Sequence, residues 1–114
     1  MMKRDDTVYL RHILEAAERI QAYLQDMDEQ RFEENHLRQD GVIRQLEIIG
    51  EAVKQLSPAL RDAHDDVPWK DMAGMRDKLI HHYFGVDVQA VWDTATDDLP
   101  ALKERVARIL DERT

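Results

Sequence analysis

The chain has 114 residues, enough for one domain with a single modest core. It contains no cysteine, which excludes disulfides, thiolate metal sites and cysteine nucleophiles and favours a reducing compartment. A formal net charge of −8 argues against loose, sequence-independent nucleic-acid binding, which draws on Lys and Arg displacing counterions from phosphates; any RNA site must gather its positive charge in one cleft.

The opening stretch, Met1 to Asp6, lacks the apolar segment of a signal peptide, so a cytoplasmic location is expected. From Thr7 to about Met27, residues Leu10, Ile13, Leu14, Ala17, Ile20 and Leu24 recur at spacings of three and four, the stripe of a core-facing helix. Asp5, Asp6 or Thr7 can cap it. Asp28 to Asp40 is charged and reads as a short helical turn and connection, with Phe32 and Leu37 as apolar anchors. A second helix is predicted from about Gln39 to Leu56, where Val42, Leu46, Ile49, Val53 and Leu56 share one face, and Ser57-Pro58 ends it. Pro58 to Val67 is polar and reads as a loose turn around Leu60.

Pro68 suits the first position of a third long helix, running to about Phe84 and stopped by Gly85. Asp87 can cap a further helix carrying Val88, Val91, Trp92 and Ala95, and Pro100 is expected to kink or restart the chain before a last stripe of Leu99, Leu102, Val106, Ile109 and Leu110. With four glycines and three prolines the turn density of a β barrel is missing. The expected fold is all-α, an antiparallel up-and-down bundle of four to five helices in one domain over residues 1–114, and no apolar run reaches the roughly 18 to 20 residues of a membrane span.

The third helix carries the chemistry. With Arg76 set at zero on an ideal helix, Trp69, Met72, Ala73, Leu79, Ile80 and Tyr83 fall within about 60° of it, so a permanent cation sits in the middle of the apolar face. Such a charge needs a carboxylate, Glu47 or Glu51 for instance, or a task that uses it. His81 and His82 fall about 140° and 240° around, so Arg76 and His81 meet on one phosphate only if the last turn distorts or a second subunit contributes. A homodimer is the simpler expectation. Arg44, Glu47 and Glu51 share the outward face of the second helix with Ile48; they form either an exposed ion-pair ladder or a dimer seam whose carboxylates orient Arg76 or His81. Glu33 and His36 make a lone Glu-x-x-His, short of the set a di-iron site requires, and no metal or other cofactor is expected. His12 and His64 read as surface residues.

Arg76-Asp77-Lys78-Leu79-Ile80-His81-His82-Tyr83 resembles the Arg-x4-6-His signature of HEPN domains, and more narrowly the Arg-x4-His-x-Tyr form of HepT-like toxins. The flanks are similar in the same order: Arg44-Gln45-Leu46-Glu47-Ile48-Ile49-Gly50-Glu51-Ala52, Pro68-Trp69-Lys70-Asp71-Met72-Ala73-Gly74-Met75, Tyr83 to Asp87, Val91-Trp92 and Asp98 to Pro100. The resemblance implies a homodimeric ribonuclease toxin with Arg76 and His81 of both subunits near an interface cleft. It also implies an MNT-type nucleotidyltransferase antitoxin as partner, in a larger hetero-oligomer, that transfers AMP onto Tyr83. The general spacing admits His81 or His82 as the active histidine, and the narrower form selects His81.

RNA brings its own nucleophile, the 2′-hydroxyl, so cleavage needs proton transfer and positive charge at the phosphorane but no metal. An imidazole suits the first task and a guanidinium fork the second. Without the resemblance Tyr83 reads as a packing residue beside Trp69 and Leu79, and the rival to a toxin ribonuclease is a non-catalytic HEPN-type module that binds a nucleotide or scaffolds a nucleotidyltransferase.

Overall fold

The computed structural model describes residues 5–81 and 85–113. Helix α1 spans Asp6–Tyr23, and the Asp5 carboxylate caps it by accepting the Thr7 N–H at 2.9 Å. It ends before Met27 because the chain turns sharply: Leu24 still bonds back to Ile20, and Asp26 takes a left-handed φ of 63°. The expected helical turn is α2, Glu29–Glu33, capped by Asp28. Phe32 on α2 is fully buried, but Leu37 is 82 % exposed and anchors nothing, contrary to the expectation for it.

Helix α3, His36–Gln55, begins three residues earlier than the apolar pattern indicates, because the Asn35 side chain caps it on the Arg38 N–H. Its buried Gln39 donates to the carbonyls of Phe32 and Glu33 at 2.8 and 2.9 Å, satisfying groups that the end of α2 leaves unpaired. Ser57-Pro58 does end α3, but the following residues are not a loose turn. They form α4, Pro58–Ala63, with Ser57 as cap and Pro58 in the first turn.

Helix α5 covers Trp69–His81, with Pro68 one place before it and its carbonyl accepting the Met72 N–H. The expected extension to Phe84 lies outside the described residues. Asp87 caps α6, Val88–Asp93, as expected. Pro100 neither kinks nor restarts the chain in the expected way. Residues Thr94–Asp98 form a π-helical turn that leads without a break into α7, Leu99–Glu112, and Leu99 N–H bonds back five residues to Thr94. Widening the helix by one residue gives the Pro100 ring space against the preceding turn.

Four long rods therefore make the bundle: α1, α3, α5 and the continuous α6–α7. Helix α3 packs against α1 and α5, and α1 against α7. Helix α1 runs antiparallel to both α3 and α7. Asp6 at the start of α1 accepts bonds from Ser57 N–H and Oγ just past the end of α3, while Arg113 past the end of α7 bonds Asp5 and Thr7. The predicted stripes are the core: Leu10, Ile13, Ala17 and Ile20 face Val42, Leu46, Ile49 and Val53, and Leu99, Leu102, Val106 and Ile109 close the other side. Among the described residues no helix is long and apolar enough to cross a membrane.

Candidate active site

Helices α3 and α5 are in close contact at Gly50. A Cβ there would lie 2.2 Å from the Cβ of Arg76 and 3.0 Å from the Met72 carbonyl oxygen, so only a residue without a side chain allows the crossing. The contact decides where Arg76 goes. Its Cβ is pressed against α3, and the rest of the side chain runs outward over the α3 surface, leaving 27 % of it exposed.

The guanidinium is held by two carboxylates. Nε lies 3.0 Å from Glu51 Oε2, and Nη1 donates to Asp77 Oδ1 at 3.2 Å. Asp77 also accepts from the Lys54 ammonium, so Glu51, Arg76, Asp77 and Lys54 form one chain of alternating charge. Of the two carboxylates considered for Arg76, Glu51 is in contact and Glu47 is not. Lys54 foremost, with Arg76, holds the Asp77 carboxyl below its ordinary value of 3.8. Thr7 N–H does the same for Asp5, and Arg105 for Asp66.

A carboxyl depressed in the folded state stabilises the fold above its unfolded pKa, and that contribution disappears as pH falls through the folded value. Stability is thus expected to decline from about pH 4 downward. Thermal melts on either side of that value should show a smaller decline for Asp77→Asn than for the natural chain. An equal decline would remove Asp77 from the account.

Arg76 opens into a groove of about 520 Å³ whose floor is the outward face of α3, walled by α1 and α5. Arg44, Glu47 and Glu51, predicted to share a face, all line it together with Arg76. Among the described residues Arg44 and Glu47 have no ion-pair partner, so these three side chains are not a closed ladder. His81 is exposed at the far end of α5 and is not among the residues lining this groove. His82 and Tyr83 lie outside the described residues.

The groove also contains Tyr9, which the sequence pattern did not single out, and His12, which it gave only as a surface residue. Tyr9 and His12, one turn apart on α1, line it from the opposite wall, with rings edge to face at 6.1 Å. His12 is exposed, as expected, but on the Arg76 side of the bundle. Only the three-residue spacing of Tyr9 and His12 pointed to a shared face. Among the described residues no three His, Asp or Glu side chains are grouped to hold a metal ion.

An all-α bundle of this order, with a half-exposed arginine where its central helices cross, has HEPN-like architecture. The chain belongs to the ribonuclease HepT-like family, whose model matches residues 13–109. It is 43% identical over 112 residues to a "Putative RNase" of Methanocaldococcus jannaschii, covering 98% of this chain and 97% of that protein. It is 44% identical to the "Probable ribonuclease HepT" of Thermococcus cleftensis over 95% of this chain and 98% of that one. A "Gamma-glutamylcyclotransferase and putative RNase" of M. jannaschii is 45% identical over 97% of this chain, which spans 50% of that protein's length. No solved structure matches the chain.

Proposed function

We propose that the chain is the toxin of a toxin–antitoxin pair, a metal-independent endoribonuclease acting as a homodimer in the cytoplasm. Arg76 and His81 are its catalytic residues. The 2′-oxygen attacks the adjacent phosphorus while an imidazole takes its proton, the P–O5′ bond breaks, and the 5′-oxygen takes a proton from an imidazolium, giving a 2′,3′-cyclic phosphate and a 5′-hydroxyl. Arg76 stabilises the charge that gathers on the phosphorane oxygens. His81 lies off the groove within one chain, so the partner protomer supplies the imidazole that meets Arg76. Glu51 orients the guanidinium, while Arg44 and Glu47 line the path of the strand. His82, next in sequence, is the alternative active histidine.

The antitoxin is an MNT-type nucleotidyltransferase that joins AMP from ATP to the Tyr83 oxygen and releases pyrophosphate, in a larger complex of both proteins. Each added AMP brings a phosphodiester charge and a base next to the cleft, which repels and blocks RNA without removing a catalytic atom. The observation that carries the proposal is the guanidinium presented in an open groove on a chain of the ribonuclease HepT-like family. A second reading, the non-catalytic scaffold for a nucleotidyltransferase, is favoured by the carboxylates Glu51 and Asp77 already on that guanidinium.

The deciding experiment is cleavage of end-labelled RNA in EDTA by the natural chain and by His81→Ala, with folding verified by circular dichroism. The natural chain should cut and His81→Ala should be slower by roughly 10²-fold or more. Prior incubation with the nucleotidyltransferase and ATP should suppress cutting by the natural chain but not by Tyr83→Phe. A folded His81→Ala chain with full activity overturns the assignment, and a natural chain that cuts nothing while still binding the transferase leaves the scaffold.

A further inference from the structure

Beyond Arg76 the groove continues along the seam between α1 and α3, where His12 and Ile48 line both parts of it. This extension is bordered by Glu15 and Arg19 of α1, and its floor carries Gln45. Gln45 is only 6 % exposed, and among the described residues its carboxamide has no hydrogen-bond partner. A side chain with two donors and an acceptor, buried to that degree, is normally satisfied, since an unpaired polar group in the interior is costly. It is not sealed in: the one fully enclosed side-chain nitrogen or oxygen without a partner, among the described residues, is Arg61 Nε. The Gln45 amide therefore faces the groove with its bonding capacity unused.

We propose that this seam is a single-stranded RNA subsite of the Arg76 groove, in which the Gln45 carboxamide reads the edge of a base beside the scissile phosphate. The inference rests on the groove being an RNA site and adds to that reading the residue that sets base preference. An amide matches a base edge because it donates and accepts side by side. Six residues separate Gln45 from Glu51, the carboxylate against Arg76, about 9 Å along the α3 axis, which is within reach of the nucleotides next to the cut. Arg19 and Arg44 have no ion-pair partner among the described residues and flank the amide for phosphate contacts. Glu15 and Glu47 face the same groove, so the track is close to neutral overall.

The test uses the full chain and short fluorescent 2′-O-methyl oligomers of A, C or U, which lack the nucleophile and cannot be cut. In anisotropy titrations the natural chain should prefer one base roughly tenfold over the least favoured. Gln45→Leu keeps the volume and removes the amide, so it should melt at or above the natural temperature yet lose that preference. Arg76→Ala should weaken all three oligomers alike and keep their ranking. A Gln45→Leu chain with the ranking intact, or a natural chain that binds no oligomer, overturns the proposal. So does a Gln45→Leu chain that binds RNA normally but no longer self-associates on sedimentation, which would assign the amide to a contact between protomers. Because these oligomers resist cleavage, failure of the ribonuclease assignment would leave the binding result standing.

Discussion

Gly50→Ala is expected to cost about 3 kcal/mol of folding stability, although alanine is the better helix former by about 1 kcal/mol. The new Cβ would stand 2.2 Å from the Cβ of Arg76 and 3.0 Å from the Met72 carbonyl oxygen. Both obstacles belong to the α5 backbone or its first side-chain atom, so no rotamer change relieves them. Helix α5 has to move outward, loosening Met72 and Leu79 from the core and carrying Arg76 away from Glu51. Gly74→Ala is the matched control, since a Cβ there meets nothing within 4 Å, and it should stabilise the chain by up to about 1 kcal/mol. Urea titrations should give a lower midpoint for the first variant and a slightly higher one for the second, with the slope unchanged in both. Equal midpoints would mean that the two helices do not cross at Gly50.

That close approach also marks the limit of what the sequence could tell. The stripes of α1, α3 and α7 were legible because burial follows the 3.6-residue period, although Leu14, Leu24 and Leu110 are only partly buried and the buried Gln39 and Gln45 fell outside the apolar pattern. The caps at Asp5 and Asp87 were legible, but the Asn35 cap was missed and with it the first turn of α3, and Ser57-Pro58 is a stop and a start at once, so reading only the stop hid α4. Pro100 carried a strong local signal for a break. The π-helical turn that absorbs it depends on how α7 packs, which local sequence does not record. The distance between two helices is likewise a tertiary quantity, so nothing in the pattern around Gly50 announced it.

The candidate site divides along the same line. Arg44, Glu47 and Glu51 were assigned to one face by spacing on a single helix, and the groove contains all three. Asp77 was invisible as a partner of Arg76 because adjacent residues point about 100° apart on a helix; the pair forms only because a long arginine side chain can fold back. His12 required knowing which face of α1 turns toward α5. The relation of Arg76 to His81 is the hardest case, because their angular separation on one helix keeps them from converging within a single straight chain.

Loss of Arg76 should have the largest effect on catalysis. A guanidinium carries five N–H donors, and the contacts to Glu51 and Asp77 engage Nε and Nη1, leaving Nη2 free for phosphate oxygens. Held by Glu51 and Asp77, it would be presented to substrate with little reorganisation, and Arg76→Ala should reduce cleavage by roughly 10² to 10³-fold. Arg76→Lys should recover only a small part of this, since an ammonium keeps the charge but loses the planar fork. Glu51→Gln separates two roles for the ion pair. If Glu51 aims the guanidinium, its amide variant should cut severalfold more slowly; if it only withholds the charge, the variant should cut faster. The first outcome is expected because Glu51 contacts Nε and leaves Nη2 open. The decisive comparison is then Arg76→Ala combined with Glu51→Gln. A carboxylate that acts only through the arginine has nothing left to orient once the arginine is gone, so the double variant should be no slower than Arg76→Ala alone. Fully additive losses would show that Glu51 reaches the RNA by itself.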